Sequence, residues 1–308
     1  MQKLIDRAAR EIGTVVLGKD RQVRLALCCL VAGGHLLLED LPGMGKTTLS
    51  HALAKVLGLQ YRRVQFTSDL LPGDILGASV FDRDSGRFQF LPGPIFTQVL
   101  LADEINRSTP KTQSALLEAM AEGQVTSEGQ TRPLPKPFFV IATQNPITQA
   151  GTYPLPESQL DRFLMRLSLG YPDPAAERRL LLGEDAAHRL PKLEQCLSPE
   201  QLEQLRGAVD AVHTSEQLLD YVQRLIAYTR SEPGFAFGLS PRGALALLRS
   251  AKTWALMSGR GHVVPEDVQV VLPAVVEHRL HANVDAFVDR DGDGGALVDR
   301  LLRRVAVV

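Results

Sequence analysis

The stretch Glu39-Asp40-Leu41-Pro42-Gly43-Met44-Gly45-Lys46-Thr47-Thr48 has the composition of a loop that holds a triphosphate. Glycines let the main chain approach phosphate oxygens, and the N–H groups of a turn leading into a helix point at the anion. On this reading Pro42, Gly43, Met44, Gly45, Lys46, Thr47 and Thr48 bind the nucleotide. Lys46 reaches the β- and γ-phosphates and the Thr47 hydroxyl ligates Mg2+. The pattern G-x-x-x-x-G-K-[ST] wants glycine at position 40, where this chain has aspartate. Aspartate tolerates turn geometry, so the loop is expected to survive. Further along, Val99-Leu100-Leu101-Ala102-Asp103-Glu104 is an apolar run that ends in two carboxylates. Asp103 suits Mg2+, directly or through water. Glu104 suits a base that polarises a water for attack on the γ-phosphate. The N-K-x-D of guanine recognition and the LSGGQ of transporter ATPases are both missing. An acid placed to activate water favours hydrolysis over transfer to a second substrate.

These groups converge only if the elements carrying them do. Short β-rich runs, HLLLE (35–39), RRVQF (62–66), QVLLAD (98–103), PFFVIAT (137–143) and LMRLSL (164–169), alternate with helical patterns. That rhythm predicts an α/β fold with a parallel five-stranded sheet covered on both faces. Ligands then sit beyond the carboxyl ends of the strands, which brings Asp103 and Glu104 beside the phosphate loop. Leu49, Ala52, Leu53, Val56 and Leu57 form a helical stripe behind the loop, and Gly58 is placed to stop that helix. After Tyr171-Pro172-Asp173-Pro174 helical spacing takes over and no convincing strand appears. Ser198-Pro199-Glu200-Gln201 reads as a capping box, followed by an apolar face of Leu202, Leu205, Val209 and Val212. Ser240-Pro241 starts another helix, with Leu245, Leu248, Ala251 and Ala255 as its face. The expected boundaries are an α/β nucleotide-binding domain over 1–172 and a helical domain over 173–308. Polar Gly-containing centres flanked by alternating residues predict two hairpins interrupting the first domain, at about 78–91 and 123–134.

Composition narrows the class further. Among 308 residues, 34 Lys+Arg balance 35 Asp+Glu, so no overall basic charge points to nucleic acid. With 44% hydrophobic and 22% charged residues the chain matches a soluble globular protein. Cys28, Cys29 and Cys196 fit neither a disulfide framework nor a zinc spacing, which predicts a reducing compartment and apolar packing. The apolar stretch from Leu25 to Leu38 falls short of a bilayer span, and Met1 to Gly13 carries charges where a signal peptide needs an apolar run. The expectation is a cytoplasmic protein.

The chain resembles the AAA+ ATPases and, within them, the MoxR family. GHLLLEDLPGMGKT (34–47), DLLPGDILG (69–77), LADEINRSTPKTQSALLEAMAEGQVT (101–126), ATQNP (142–146) and PLPESQLDRF (154–163) are similar to that family in order and spacing, as is LSPRG (239–243) more weakly. The resemblance implies an AAA+ P-loop domain with a small helical lid. It places Gly18 in the segment lining the adenine pocket, makes Asn145 sensor 1, and makes Arg242 sensor 2, acting in cis or in trans. It makes Arg162 the arginine finger given to a neighbour's ATP, with Arg107 as the other candidate. Arg242 falls in the first turn of its helix, where the macrodipole disfavours a cation, so it is expected to serve an anion. The resemblance further implies Mg2+-dependent ATP hydrolysis, a hexameric ring, and chaperone-like remodelling or maturation of a protein client, often one with a von Willebrand factor A domain. The hairpins resemble the helix-2 insert and the pre-sensor-1 hairpin, expected to move with nucleotide state and touch the client near a pore. The competing expectations are a DNA-acting motor, since relatives with such inserts unwind DNA, and a nucleotide-dependent scaffold that rarely turns over.

Other signals are discounted. Asp289, Asp291, Asp293 and Gly294 imitate the start of an EF-hand, but position twelve is Arg300 rather than glutamate. His278 and His281 lack a third metal ligand and are read as surface residues. Leu297, Val298, Leu301, Leu302 and Val305 predict a closing amphipathic helix that packs on the core or lid.

Overall fold

In the computed structural model, which describes residues 1–84, 86–145, 151–183, 186–283 and 294–307, the five apolar runs pair as one sheet. Its strands are β1 (His35–Glu39), β2 (Tyr61–Gln65), β3 (Val99–Asp103), β4 (Phe139–Gln144) and β5 (Phe163–Leu167). Their order is β2-β3-β4-β1-β5, every pair parallel. The unbroken apolar run of β1 follows from burial on both faces. Leu36 and Leu38 join one hydrophobic cluster and Leu37 the other. The first cluster reaches across helices Gln2–Gly13, Asp20–Val31 and Lys46–Val56 into the helices of the second half. The second lies under helices Pro72–Leu76 and Pro110–Glu122.

Register then decides what shares the C-terminal edge. Gln65 lies opposite Asp103, and Glu39 lies opposite Gln144, the residue before Asn145. Both expected hairpins form, Gly77–Asp82 with Arg87–Pro92 and Gln124–Ser127 with Gln130–Pro133. They are fastened to each other by Ser79 Oγ on Glu128 Oε2 at 2.6 Å and by the Arg132 guanidinium 3.8 Å above the Phe90 ring.

The second half is helical, with one exception to the expectation of no strand. Phe235–Phe237 pairs antiparallel with His281–Ala282. Segments of three and two residues carry no period that sequence reasoning can detect. The capping box at Ser198 forms as expected, with Ser198 Oγ accepting from Gln201 N at 3.2 Å and Gln201 Oε1 from Ser198 N at 2.9 Å. Helix Pro241–Met257 starts where predicted, but its face is rotated: Leu245 is 70% exposed and Leu247 fully buried. Packing between helices Pro265–Val276, Pro199–Asp210 and Asp20–Val31 buries Ala246, Leu247 and Ser250 beside the expected Ala251 and Ala255. Leu297, Val298, Leu301 and Val305 of the closing segment are buried against the core. The EF-hand imitation at 289–293 lies outside the described residues. The three cysteines are free and buried, and no described helix is long and apolar enough to cross a membrane.

Two arginines fasten the helical half to the foot of the sheet. Arg206 Nη2 donates to the Leu30 carbonyl at 3.3 Å and Arg249 Nε to that of Ala32 at 2.6 Å. Both carbonyls lie at the end of helix Asp20–Val31, where the macrodipole favours a cation.

His35 opens β1 at that foot. Val140 N–H donates to its Nδ1 at 2.9 Å and its Nε2 faces the Met120 carbonyl at 3.2 Å, so Nε2 carries the proton. Burial pushes its pKa down to about 4, and burial beside Arg279 holds His278 well below its ordinary value as well. The unfolded chain takes up a proton near 6.5 whereas the native ring does not until about 4. Stability is therefore expected to be complete above that window and to fall as pH drops through it, by about 3 kcal/mol for His35. Urea midpoints measured from about pH 7 down to about pH 4.5 check this, and His35→Gln should flatten the dependence.

Candidate active site

The loop after β1 turns on Gly43 and Gly45, at φ 83° and 87°. Those angles suit glycine, and a Cβ at either would meet nothing within 4 Å, so the concave side is open. Helix Lys46–Val56 starts on Gly45 with no side-chain cap. Its first N–H groups are therefore left for an anion. Pro42, Gly43, Gly45, Lys46, Thr47, Thr48, Asp103, Glu104 and Asn145 line a cavity of about 330 Å3. Loop, acids and asparagine thus line one cavity.

Asp40 explains how the loop survives without its first glycine. Its Oδ2 accepts from Leu169 N at 2.5 Å, Gly170 N at 2.8 Å and Ser168 Oγ at 3.2 Å. The carboxylate thus ties the loop to the chain leaving β5, and terminates N–H groups that would otherwise be unpaired.

Lys46 is buried and its ammonium contacts the Asp40 carbonyl, the Leu41 carbonyl at 3.3 Å and Asn145 Oδ1 at 3.2 Å. Burial pulls its pKa down, opposed by Asp40, Asp103, Glu104 and Glu39. The other end of Asn145 donates from Nδ2 to Glu104 Oε1 at 3.2 Å. Asn145 thereby links the Lys46 ammonium to the Glu104 carboxylate. Its own carbonyl accepts from Asn106 Nδ2 at 3.0 Å, which holds the end of β4 in place.

The two acids are held differently. Asp103 Oδ1 accepts from Thr143 Oγ1 at 2.6 Å, and Oδ2 accepts from Arg63 Nε at 3.0 Å and Nη2 at 2.6 Å. A carboxylate offers about four acceptor sites, so one remains. Together with the Thr47 hydroxyl, that remaining capacity fits a hard divalent cation such as Mg2+. Glu104 adopts left-handed φ 55° and ψ 49°, a conformation that costs a non-glycine residue about 1 kcal/mol and turns the chain out of β3. Its N–H donates to Thr143 Oγ1 at 2.8 Å. Its Oε2 accepts from Gln65 Nε2 and Arg107 Nη1, both at 3.0 Å. Arg107 therefore pairs with the acid of its own site.

Beside the phosphate cavity, Val15, Val16, Leu17, Lys19, Met44, Leu180 and Ala186 line a second one of about 270 Å3, which shares Gly43, Gly45 and Thr48 with the first. Its apolar wall suits a flat base. Gly18 sits between two of its lining residues in a packing role. At φ 68°, a Cβ there would come within 2.7 Å of Asp173 Oδ2 and 2.9 Å of Ala176 Cβ. Asp173 caps helix Pro174–Leu181 by accepting from Ala176 N at 2.7 Å, so glycine lets the base-pocket segment reach that cap.

Arg162 and Arg242 are not brought to this cavity. Arg162 precedes β5 and Arg242 sits in the first turn of helix Pro241–Met257. Both line a separate cavity of about 250 Å3 with Gly33, Gly34, His35, Asp161 and Arg279, at the opposite end of the sheet. His278 corrects its expected surface position: it is buried, with Nε2 at 3.1 Å from the Phe163 carbonyl. The short turn Glu277–Arg279 tucks under β5, which periodicity does not reveal. Among the described residues no group of His, Cys, Asp and Glu is placed to hold a metal alone.

Arg63, Gln65 and Thr143 are the site's unforeseen members, and Arg279 is that of the separate cavity. A signal existed for the first two: Arg63 and Gln65 lie two apart in RRVQF, so they share one face of a strand.

Residues 35–165 match the family model described as "ATPase family associated with various cellular activities (AAA)", and residues 227–300 match that of an AAA lid domain. YeaC of Bacillus subtilis is 44% identical over 93% of this chain and 89% of its own. Chaperone MoxR1 of Mycobacterium tuberculosis is 39% identical over 98% of this chain and 82% of its own. Protein MoxR of Methylorubrum extorquens is 34% identical over 89% of this chain and 86% of its own. A Cytophaga hutchinsonii protein of known crystal structure is similar at a TM-score of 0.88 and 37% identity, covering 100% of this chain and 96% of that one. With near-full-length relatives of that name and both the ATPase and lid patterns present, the chain belongs to the MoxR family of AAA+ ATPases.

Proposed function

We propose that the protein hydrolyses ATP with Mg2+ in a ring of copies, hexameric by its resemblance to other AAA+ proteins, and spends the hydrolysis on remodelling a protein client. The observation that carries the reading is the distribution of charge. Lys46, Thr47, Asp103, Glu104 and Asn145 share the cavity at the carboxyl ends of the strands, whereas Arg162 and Arg242 line another at their opposite ends. Within one chain these arginines are far from the phosphate loop; across a ring they meet the triphosphate of the next copy, so sensor 2 acts in trans here. Both sides of each interface then hold one γ-phosphate, and its loss is felt as movement between copies.

Within the site, the Gly43–Gly45 turn and the first turn of helix Lys46–Val56 cradle the phosphates and Lys46 neutralises them. Thr47 and the remaining capacity of Asp103 hold Mg2+. When bound there, the ion would supply neutralisation of charge on the phosphate oxygens. Val15 to Lys19 and Met44 receive the base. Glu104 takes the proton from water, and Asn145 keeps that acid aligned with Lys46. The helical residues 173–308 serve as the lid on the α/β domain 1–172. Similarity to a relative named a chaperone supports a protein client; a partner carrying a von Willebrand factor A domain is what the family resemblance implies. The client-facing surface we assign to the hairpins, where Phe88 is 73% exposed.

Two variants mixed together test the interface. Arg162→Ala keeps an intact phosphate site, and Glu104→Gln keeps an intact finger. Each alone is expected to lose at least about a hundredfold in turnover. Mixed, they should recover turnover above the sum of the two, because some sites then combine a good acid with a good arginine. Phosphate release no greater than that sum would overturn the shared site.

A further inference from the structure

We infer that Arg279, contributed by the helical half, is a positioning residue for the arginine finger: it clamps the backbone on both sides of Arg162 and fixes that finger relative to Arg242. The inference rests on the proposed shared site and adds the residue that builds its far side.

Arg279 closes the turn that follows helix Pro265–Val276, and its side chain is 5% exposed. Nε donates to Asp161 Oδ1 at 2.7 Å. Nη2 donates to the Phe163 carbonyl at 2.7 Å and the Asp161 carbonyl at 3.2 Å. Nη1 donates to the Leu164 carbonyl at 3.2 Å and also to that of Val275. Three of these acceptors are main-chain oxygens of residues 161, 163 and 164, immediately around Arg162. A planar guanidinium presents its donors in a rigid fork, so it sets the path of the segment rather than merely touching it.

Arg162, by contrast, has little of its own to orient it. Among the described residues its one hydrogen bond runs from Nη1 to the Leu117 carbonyl at 2.5 Å, and its Nε is buried without a partner. The direction of the finger is therefore inherited from the backbone that Arg279 grips. Asp161 extends the grip. While its Oδ1 holds Arg279, its Oδ2 accepts from Ser240 Oγ at 3.4 Å. Ser240 caps the helix that carries Arg242, accepting from Gly243 N at 3.0 Å. Arg279 and Asp161 thus bind the finger and sensor 2 into one unit on one cavity, and displacement of the helical half carries both arginines together.

A purely structural bolt between the two halves would make the same bonds, so the test must read the finger itself. In full-length Arg279→Gln, binding of a fluorescent ATP analogue is expected to stay within about twofold of wild type, because Lys46 and its loop lie at the other end of the sheet. Turnover at saturating ATP should fall between about tenfold and a hundredfold with KM little changed, the cost of misplacing a catalytic group by about 1 Å. Mixed with Glu104→Gln, the variant should regain turnover above the sum of the two. Asp161→Asn provides a second variant with the same expected pattern should Arg279→Gln fail to fold. Wild-type turnover in a folded variant overturns the clamp. So does a loss that Glu104→Gln fails to rescue while it still rescues Arg162→Ala. If Arg162→Ala is not rescued either, the shared site has failed and the clamp falls with it.

Discussion

Glu104→Gln is expected to cut ATP turnover by about a hundredfold to ten thousandfold, the usual worth of a placed general base, while leaving nucleotide affinity within a few-fold of wild type. The split follows from how the site is built. Glu104 reaches the cavity from the end of β3, whereas the proposed phosphate binders are the loop after β1 and Lys46, whose side chain uses the Asp40 and Leu41 carbonyls and Asn145 rather than Glu104 as acceptors. The amide keeps the size of the carboxyl group and can still accept from Gln65 and Arg107 through its oxygen. What it loses is the capacity to take a proton and, with its NH2 turned toward Asn145 Nδ2, the hydrogen bond from that amide. Steady-state phosphate release read beside a fluorescent-nucleotide titration separates the two effects. Equal losses in both would mean that Glu104 holds the nucleotide rather than activating water, and would return the base to some other residue.

How much of this was legible in the sequence depended on the range of the interaction involved. The five strands, the stripe behind the phosphate loop and the Ser198 box lie within short windows and are written as local periods and caps, so they emerge close to where the residues place them. Asp40 is the instructive case. As a departure from a motif it reads only as a tolerated turn residue, because its partners at Ser168, Leu169 and Gly170 follow a strand, β5, that periodicity alone does not place beside β1. Leu245 and Leu247 differ in the same way. Either satisfies a helical stripe, and packing of neighbouring helices decides which is buried. Arg63 and Gln65 were readable as one face of a strand, yet not as the holders of two acids, since that requires knowing that β2 pairs with β3 in the register Gln65 opposite Asp103. The motif resemblance supplied roles for Arg162 and Arg242. That both lie on a cavity remote from the phosphate loop, and are braced by Arg279, depends on how the helical half docks.

Lys46→Ala is expected to weaken ATP binding about a hundredfold or more. A charge-assisted hydrogen bond is worth about 1.5–3 kcal/mol and each tenfold in affinity about 1.4, so losing the lysine's contacts to phosphate reaches two decades without any collapse of the loop. The effect on folding should be small by comparison. Burial already works against the Lys46 cation, lowering its pKa, so the folded protein gives up a desolvated charge along with the bonds to the Leu41 carbonyl and Asn145 Oδ1. Thermal midpoints within a few degrees of wild type, beside a lost nucleotide isotherm, are the predicted pair of results. Lys46→Arg should fail to restore binding even though it keeps the charge, because a planar guanidinium does not fit the narrow space among two carbonyls and an amide that a single ammonium fills. Since Asn145 joins Lys46 to Glu104, Lys46→Ala also releases one restraint on the catalytic acid. Any residual hydrolysis at very high ATP should consequently be slower per bound nucleotide than in the wild type, which single-turnover measurements can resolve. Retained ATP affinity in Lys46→Ala would place the triphosphate elsewhere and remove the basis for every role assigned to the loop.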